Sequence, residues 1–254
     1  MVRGVCLPSD VERRFGDERE LFERDQRGMS SSSVEEREVR KDQGSEGRKK
    51  IRIVCISDTH NEHRKLKMPE GDILLSAGDI SKFGRIEHIQ DFNDWLGDQP
   101  YRAKLIVHGN HEQPNWPRPG AKSMQDIITN GIVLHQSACV VEGLKIFGTR
   151  FCWPKQQWEI NEHWSQIPKD TDILVTHGPP QGILDGGSGC GALLGVIRKI
   201  RPRLVVFGHI HSAHGVVVGT EEDEGITFVN AAICGADSYT PVSEPIIVEL
   251  EISV

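Results

Sequence analysis

The chain has 254 residues, 30 Lys+Arg against 37 Asp+Glu, a formal net charge of −7 and six cysteines. That length holds one large domain or two small ones with an ample core, while 37% apolar and 6% aromatic residues fall below the globular average, so part of the chain is expected not to fold. An acidic body without a basic stripe argues against nucleic acid as the main partner, and no apolar run approaches the roughly 18–20 residues of a membrane helix.

Residues 1–50 read as a charged, disordered tail. They hold 12 Lys+Arg and 12 Asp+Glu around the serine run Ser30–Ser33, and none of the 11 histidines. Ser9 and Glu12 have the spacing of a capping box for a short helix through Glu23, but a solvated segment fits the composition better. Charges within Met1–Phe15 occupy the place where a signal peptide needs its apolar stretch. The cysteines (Cys6, Cys55, Cys139, Cys152, Cys190, Cys234) are scattered and form no CxxC pair. They read as reduced thiols of a cytoplasmic protein. The basic cluster Arg48, Lys49, Lys50 and Arg52 reads as a solvated charge run before a strand, with a nuclear signal as the alternative.

From Ile51 onward the sequence predicts one α/β domain, residues 51–254. Ile51–Ser57, Asp72–Ala77, Lys104–His108, Asp172–Thr176 and Arg203–Phe207 are short, near-continuous apolar runs, the signature of strands covered on both faces. Between them, Ile86–Leu96 places Ile86, Ile89, Phe92, Asn93 and Leu96 along one side of a helix, and Ala192–Ile200 is a second helix. Strands alternating with helices imply right-handed crossovers. Ile132–Leu134, Leu144–Phe147, Val216–Val218, Ile226–Val229 and Pro245–Leu250 read as hairpin or meander strands, with a turn at Val141-Glu142-Gly143 and an exposed acidic turn at Glu221–Gly225.

The residues that follow the five apolar runs carry the chemistry. They are Asp58-Thr59-His60, Gly78-Asp79, Gly109-Asn110-His111-Glu112, His177-Gly178-Pro179-Pro180 and Gly208-His209-Ile210-His211. Ligands of open α/β sheets bind at the carboxyl ends of strands, and here each such end delivers Asp, Asn or His. A single histidine there is ordinarily a surface or core residue, and Gly109-Asn110 alone would be a hairpin signal. Five independent coincidences of this kind point to a metal site. Imidazole, carboxylate and amide oxygen suit divalent Mn, Fe or Zn without thiolate. Two aspartates cannot neutralise two dications, so the residual charge would draw in an anionic substrate and acidify a bound water. Asp58 and His60, like His209 and His211, are two apart and can point the same way. His63, His88, His135, His163 and His214 stand outside these motifs and read as structural or surface residues.

The set DxH, GD, GNHE, THGPP and GHxH resembles the calcineurin-like metallophosphoesterase superfamily over essentially all of residues 51–254. FNDWLGDQPYRAKLIVHGNHE, THGPPQGILD, RPRLVVFGHIH and FVNAAIC resemble the metallophosphoesterase-domain-containing branch, which is related to class III cyclic-nucleotide phosphodiesterases. The resemblance implies a four-layer α-β-β-α sandwich of two mixed sheets, with the irregular C-terminal strands in the second sheet. It implies two divalent metal ions, one on Asp58, His60 and His211 and the other on Asn110, His177 and His209, with Asp79 bridging. A hydroxide between the ions would attack phosphorus in line. His111 would contact the phosphoryl group and assist the leaving oxygen, and Glu112 would orient His111.

The function this implies is a metal-dependent phosphodiesterase acting on a small phosphate ester such as a cyclic nucleotide. A phosphomonoesterase or protein phosphatase of the same fold, and a non-catalytic scaffold, are the alternatives. Asn110 and His111 are candidate substrate contacts. So are Arg118 and Arg150 for phosphate, and Trp116, Phe151 and Trp153 for stacking, beside the bland reading that these aromatics pack their loops.

Overall fold

The computed structural model describes residues 6–7, 47–112, 123–149, 151, 162–237 and 239–253. In chain order they form β1 (Cys6–Leu7), β2 (Arg48–Ile56), β3 (Ile73–Ser76), α1 (Ile86–Asp98), β4 (Ala103–Ile106), α2 (Met124–Ile127), β5 (Ile132–Val133), β6 (Ser137–Val141), β7 (Leu144–Gly148), β8 (Ile173–Val175), α3 (Gly191–Ile200), β9 (Leu204–Phe207), β10 (Gly215–Val218), β11 (Thr227–Asn230) and β12 (Ile246–Ser253). The strands make two mixed sheets, ordered β12-β2-β3-β4-β5 and β1-β6-β7-β8-β9-β11-β10.

The two-residue period of a strand explains the layering. In β2, Ile51, Ile53 and Cys55 enter one apolar core while Val54 and Ile56 enter another. The first core lies between the sheets, where Leu75 and Leu105 meet Ile146, Ile173, Val175, Leu204 and Val206. The second lies under α1 and α2, where Leu74 and Ile106 meet Phe92, Leu96 and Met124. On the far side, Leu174, Val205, Phe207 and Phe228 pack against Leu193 and Ile197 of α3. Runs that read as continuously apolar are therefore split face by face between a sheet partner and a helix. The result is the expected α-β-β-α sandwich. Each fully buried Leu, Ile or Phe contributes about 1.5–3 kcal/mol.

Helix α1 ends where Gln99 turns extended (φ −84, ψ 131), as the residue before Pro100 must. Its Asn93 is buried because it does polar work: Oδ1 accepts from Thr129 N (2.8 Å) and Asn130 N (2.9 Å), tying the helix to the turn that enters β5. Ile86, expected on the buried side, is 50% exposed. It lies in the first turn, beyond the part of the helix that faces the sheet. Glu142 (φ 51) and Gly143 (φ 81) form the two-residue turn between β6 and β7, the left-handed pair of a type I′ hairpin. Glu221–Gly225 is the anticipated exposed turn, and its Asp223 holds Arg198 of α3 at 2.9 Å.

Two sequence expectations are corrected. The irregular strands do not all join the second sheet. β5 pairs parallel with β4, and β12 pairs antiparallel with β2 along eight residues from Arg48–Ser253 to Cys55–Ile246. The basic cluster does not precede a strand but opens β2, where Lys50 and Arg52 lie 3.3 and 3.7 Å from Glu249 of β12 and Arg48 lies 3.5 Å from Glu251. Such exposed pairs add at most about 1 kcal/mol each, but they favour this register over its neighbours. Of residues 1–46 the described ones are Cys6 and Leu7, which pair as β1 with Cys139 and Ala138 of β6. The helix expected through Glu23 lies outside the described residues.

Candidate metal centre

Strands β2, β3 and β4 run parallel, as do β8, β9 and β11. Their carboxyl ends meet along one seam. A bridge between Ser57 and Ala232 closes the seam, with Ile233 N donating to Ser57 O at 2.9 Å. Asp58, Asp79 and Asn110-His111 come from one sheet, and His177, His209 and His211 from the other.

The backbone there is bent hard. Asp58 (φ 53), His60 (φ 43), Asp79 (φ 50) and His209 (φ 69) all occupy the left-handed region. Non-glycine residues held so cost about 1–3 kcal/mol each and persist where their surroundings over-determine them. The motif glycines are required by close approach as much as by turn geometry. A Cβ on Gly109 would lie 2.0 Å from Asp79 Oδ1, and one on Gly208 would lie 2.1 Å from Asp58 Oδ2. Gly109→Ala and Gly208→Ala are accordingly expected to fold but to lose at least tenfold in metal affinity (roughly the penalty of disturbing a ligand's support), measured by metal titration. Wild-type affinity in both would contradict this packing.

The ligand atoms converge as acceptors. His177 Nδ1 donates to Ala77 O at 2.7 Å, which leaves the Nε2 lone pair 2.9 Å from Asn110 Oδ1 and 3.2 Å from Asp79 Oδ2. His209 Nδ1 lies 2.9 Å from the same Asn110 oxygen. On the other side, His60 Nδ1 faces Ser81 O at 3.4 Å and His211 Nδ1 faces Gly235 O at 3.2 Å. Their Nε2 atoms therefore confront each other at 3.1 Å, with Asp58 Oδ1 3.3 Å from His211 Nε2. That carboxylate oxygen is buried and has no hydrogen-bond partner, and such atoms call for an ion or water. Acceptor atoms this close repel unless a proton or a metal cation lies between them. Asp58-His60-His211 and Asp79-His177-His209 each form a compact ligand group, and Asp79 also groups with His60 and His111.

Electrostatics give the same answer. Burial opposes charge on every group here, and the outcome depends on neighbours. For His177, Asp79 and Asp58 outweigh burial and push the imidazole up to about 9. His60 and His209 are held down at about 4, chiefly by burial. Asp58 and Asp79 stay below the usual carboxylate range because the histidines outweigh the cost of burial. Two ionised carboxylates, two neutral imidazoles and two whose protons the carboxylates hold are donors suited to divalent cations, which would take the place of those protons.

His111 stands apart. Its N–H donates to Asp79 Oδ1 at 2.9 Å and its Nδ1 to Lys82 O. Nε2 lies 3.8 Å from Asp79 Oδ2. Asp79, Asn110, His111, His209 and His211 line a pocket of about 300 Å³.

Glu112 does not touch His111, contrary to the expectation. It is fully buried beneath the ligand loops. Its Oε2 accepts from Asp79 N (3.0 Å) and Gly109 N (2.9 Å), and its Oε1 from Ser81 N (3.1 Å) and Ser81 Oγ (2.9 Å). Burial and the Asp79 carboxylate push it up to about 7. Glu112→Gln would aim an NH₂ group at these donors. It is expected to destabilise the fold by about 1–3 kcal/mol, the cost of stranding buried donors, read as a lower denaturation midpoint at unchanged slope. An unchanged midpoint would remove Glu112 from this role.

Two further positions were not legible. Asn230, at the end of β11, donates through Nδ2 to Ile210 O at 3.1 Å and so holds the residue between His209 and His211. Tyr239, from the segment after β11, also lines the pocket. Applying the strand-end rule to β11 would have found Asn230, whereas Tyr239 lies well beyond that strand end and carried no such signal. Phe151 packs its ring 5.0 Å from that of His209 and 5.3 Å from that of His177. Arg150, Trp116, Arg118 and Trp153 lie outside the described residues. Of the remaining histidines, His63 sits 3.0 Å from Asp91, His88 3.3 Å from Asn61, and His214 2.8 Å from Ala232 O. His163 packs on Trp164 and His135 on His108. None lines the pocket. Among the described residues no helix is long and apolar enough to cross a membrane.

Known proteins share this arrangement. The family model for calcineurin-like phosphoesterases matches residues 51–213, a span that contains every ligand above. The chain therefore belongs to the calcineurin-like phosphoesterase family. Among relatives, metallophosphoesterase domain-containing protein 1 of Homo sapiens is 36% identical, over 78% of this chain and 71% of its own. A UPF0046 protein of Caenorhabditis elegans, K07C11.7, is 32% identical over 75% and 72%. In structure, TT1561 of Thermus thermophilus superposes on 71% of this chain and 88% of its own, with a TM-score of 0.52 at 15% identity, a likeness of fold.

Proposed function

We propose that this chain is a dinuclear-metal phosphodiesterase that hydrolyses a small phosphate ester, with a cyclic nucleotide as the candidate substrate class. The observation that carries the reading is the convergence of acceptor atoms from Asp58, His60, Asp79, Asn110, His177, His209 and His211, with His111 Nε2 alongside. Asp58, His60 and His211 would hold one ion, Asn110, His177 and His209 the other, and Asp79 would reach both. Bound there, two divalent ions (Mn, Fe or Zn) supply charge to the phosphoryl oxygens and an activated water.

The chain's own residues do the rest. Lys82 O fixes the His111 ring by accepting from Nδ1, so that in the imidazolium form, with both ring nitrogens protonated, Nε2 gives its proton to the departing oxygen and the ring is left neutral. Asp79 Oδ1, accepting from His111 N, keeps the ring in register with the ions. A pocket of about 300 Å³ is at the small end for ligand sites, which supports a small ester over a phosphoprotein. The acidic body supports a substrate other than nucleic acid, and a cytoplasmic enzyme without a membrane partner fits the same composition.

The test is hydrolysis of bis(p-nitrophenyl) phosphate by the Mn²⁺-loaded chain. Turnover by wild type supports the reading. Bound metal with no diester turnover overturns it, and turnover of p-nitrophenyl phosphate alone would make the chain a monoesterase.

A further inference from the structure

Tyr239 is unexplained by the metal centre. It holds no ligand position, yet its ring centroid lies 4.5 Å from that of His60, 6.1 Å from that of His111 and 6.2 Å from that of His211. It meets all three edge-on, at 69°, 74° and 77°, so the ring stands upright beside the imidazoles. Lys82 Nζ lies over the ring, 5.8 Å from its centre. The side chain is 37% exposed and lines the same pocket as His111.

The backbone is arranged to put it there. Tyr239 has φ 46, in a region where a bulky residue is a true outlier. The turn that carries it is closed by Gly235 N donating to Thr240 O at 2.9 Å and by a bridge between Cys234 and Pro241. The same turn supplies Gly235 O, which His211 Nδ1 faces. Strain of this kind collects at ligand clamps, and here it falls on the residue whose ring stands in the pocket.

We infer that Tyr239 is a specificity-determining residue: its ring is the wall against which the organic group of the ester packs, and it selects planar, aromatic groups over puckered ones. It stands beside His60, with His111, the proposed proton donor to the leaving oxygen, 6.1 Å away. A flat π surface rewards a flat partner in a way that a rounded alicyclic group of similar size cannot match. This rests on the phosphoesterase reading above.

The test separates the two. Phenylphosphonate and cyclohexylphosphonate carry the same anion on a planar and a puckered six-carbon ring, and their P–C bonds resist hydrolysis. Calorimetric titration into the Mn²⁺-loaded chain is expected to show the phenyl compound binding about tenfold tighter, the scale of one aromatic stacking contact. Tyr239→Phe should keep that ratio. Tyr239→Leu should bring it to about one, as should Tyr239→Gly, which relieves the backbone strain and so guards against misfolding. Both should retain wild-type Mn²⁺ content. A ratio that survives in the Leu and Gly variants overturns the wall. Loss of Mn²⁺ in both would make Tyr239 a support of the metal site instead. Failure of both phosphonates to bind wild type would overturn the phosphoesterase reading, and this inference with it.

Discussion

Asp79→Ala is expected to retain neither metal ion and to hydrolyse no ester. Asp79 is the residue both halves of the site share: Oδ2 is 3.2 Å from His177 Nε2 and 3.8 Å from His111 Nε2, and the carboxylate groups with His60 as well. Removing a ligand of one ion weakens that ion. Removing the shared one weakens both and leaves Asp58 as the lone carboxylate among the ligands. The loss in affinity should exceed the roughly 10–100-fold that follows removal of an outer partner. Metal analysis after gel filtration reads the ions, and bis(p-nitrophenyl) phosphate reads the turnover.

Unfolding is separable from this effect. Asp58 and Glu112 both repel the Asp79 carboxylate in its buried position. The His177 imidazole outweighs both, so metal-free Asp79→Asn, which retains Oδ1 for His111 N but no charge for His177, should still fold but melt below the metal-free wild type, and metal content is compared on that folded protein. A variant that keeps both ions would refute the bridging role.

What could be read from the sequence follows from which features are local. Asp58 and His60 sit immediately after a strand, and so do Asn110, His177 and His209. Strand ends are legible because apolar runs stop there, so the candidate ligands could be gathered, and sorted by the family resemblance, without knowing how the strands pair. Pairing itself was illegible. Ile132–Val133 and Ile246–Ser253 look like the other irregular strands, and their place beside β4 and β2 depends on contacts far along the chain. The same non-locality hid Glu112. Being next to His111 in sequence suggested a partnership, whereas successive residues of a bent turn point apart, and its carboxylate turned down to Asp79 N and Ser81 N. The glycines of GD, GN and GH could be read as turn residues. That Gly208 must be bare for Asp58 to fit required both sheets to be in place.

His111→Ala is expected to keep both ions and to lose turnover by about 10²–10⁴-fold, the range of a general acid–base group. The separation is possible because the backbone, not the ring, makes the contact that Asp79 needs. His111 N donates to Asp79 Oδ1 whatever the side chain. The ring is held from the other direction, by Nδ1 on Lys82 O. A merely structural ring would depress all substrates alike. A proton donor would not, because its worth rises with the basicity of the oxygen it serves. The p-nitrophenolate ion departs readily without a proton, whereas an alkoxide does not. The loss in His111→Ala should therefore be smaller for bis(p-nitrophenyl) phosphate than for a dialkyl ester. Equal losses on both esters, with Mn²⁺ content unchanged, would place His111 in binding the phosphoryl group rather than in moving a proton.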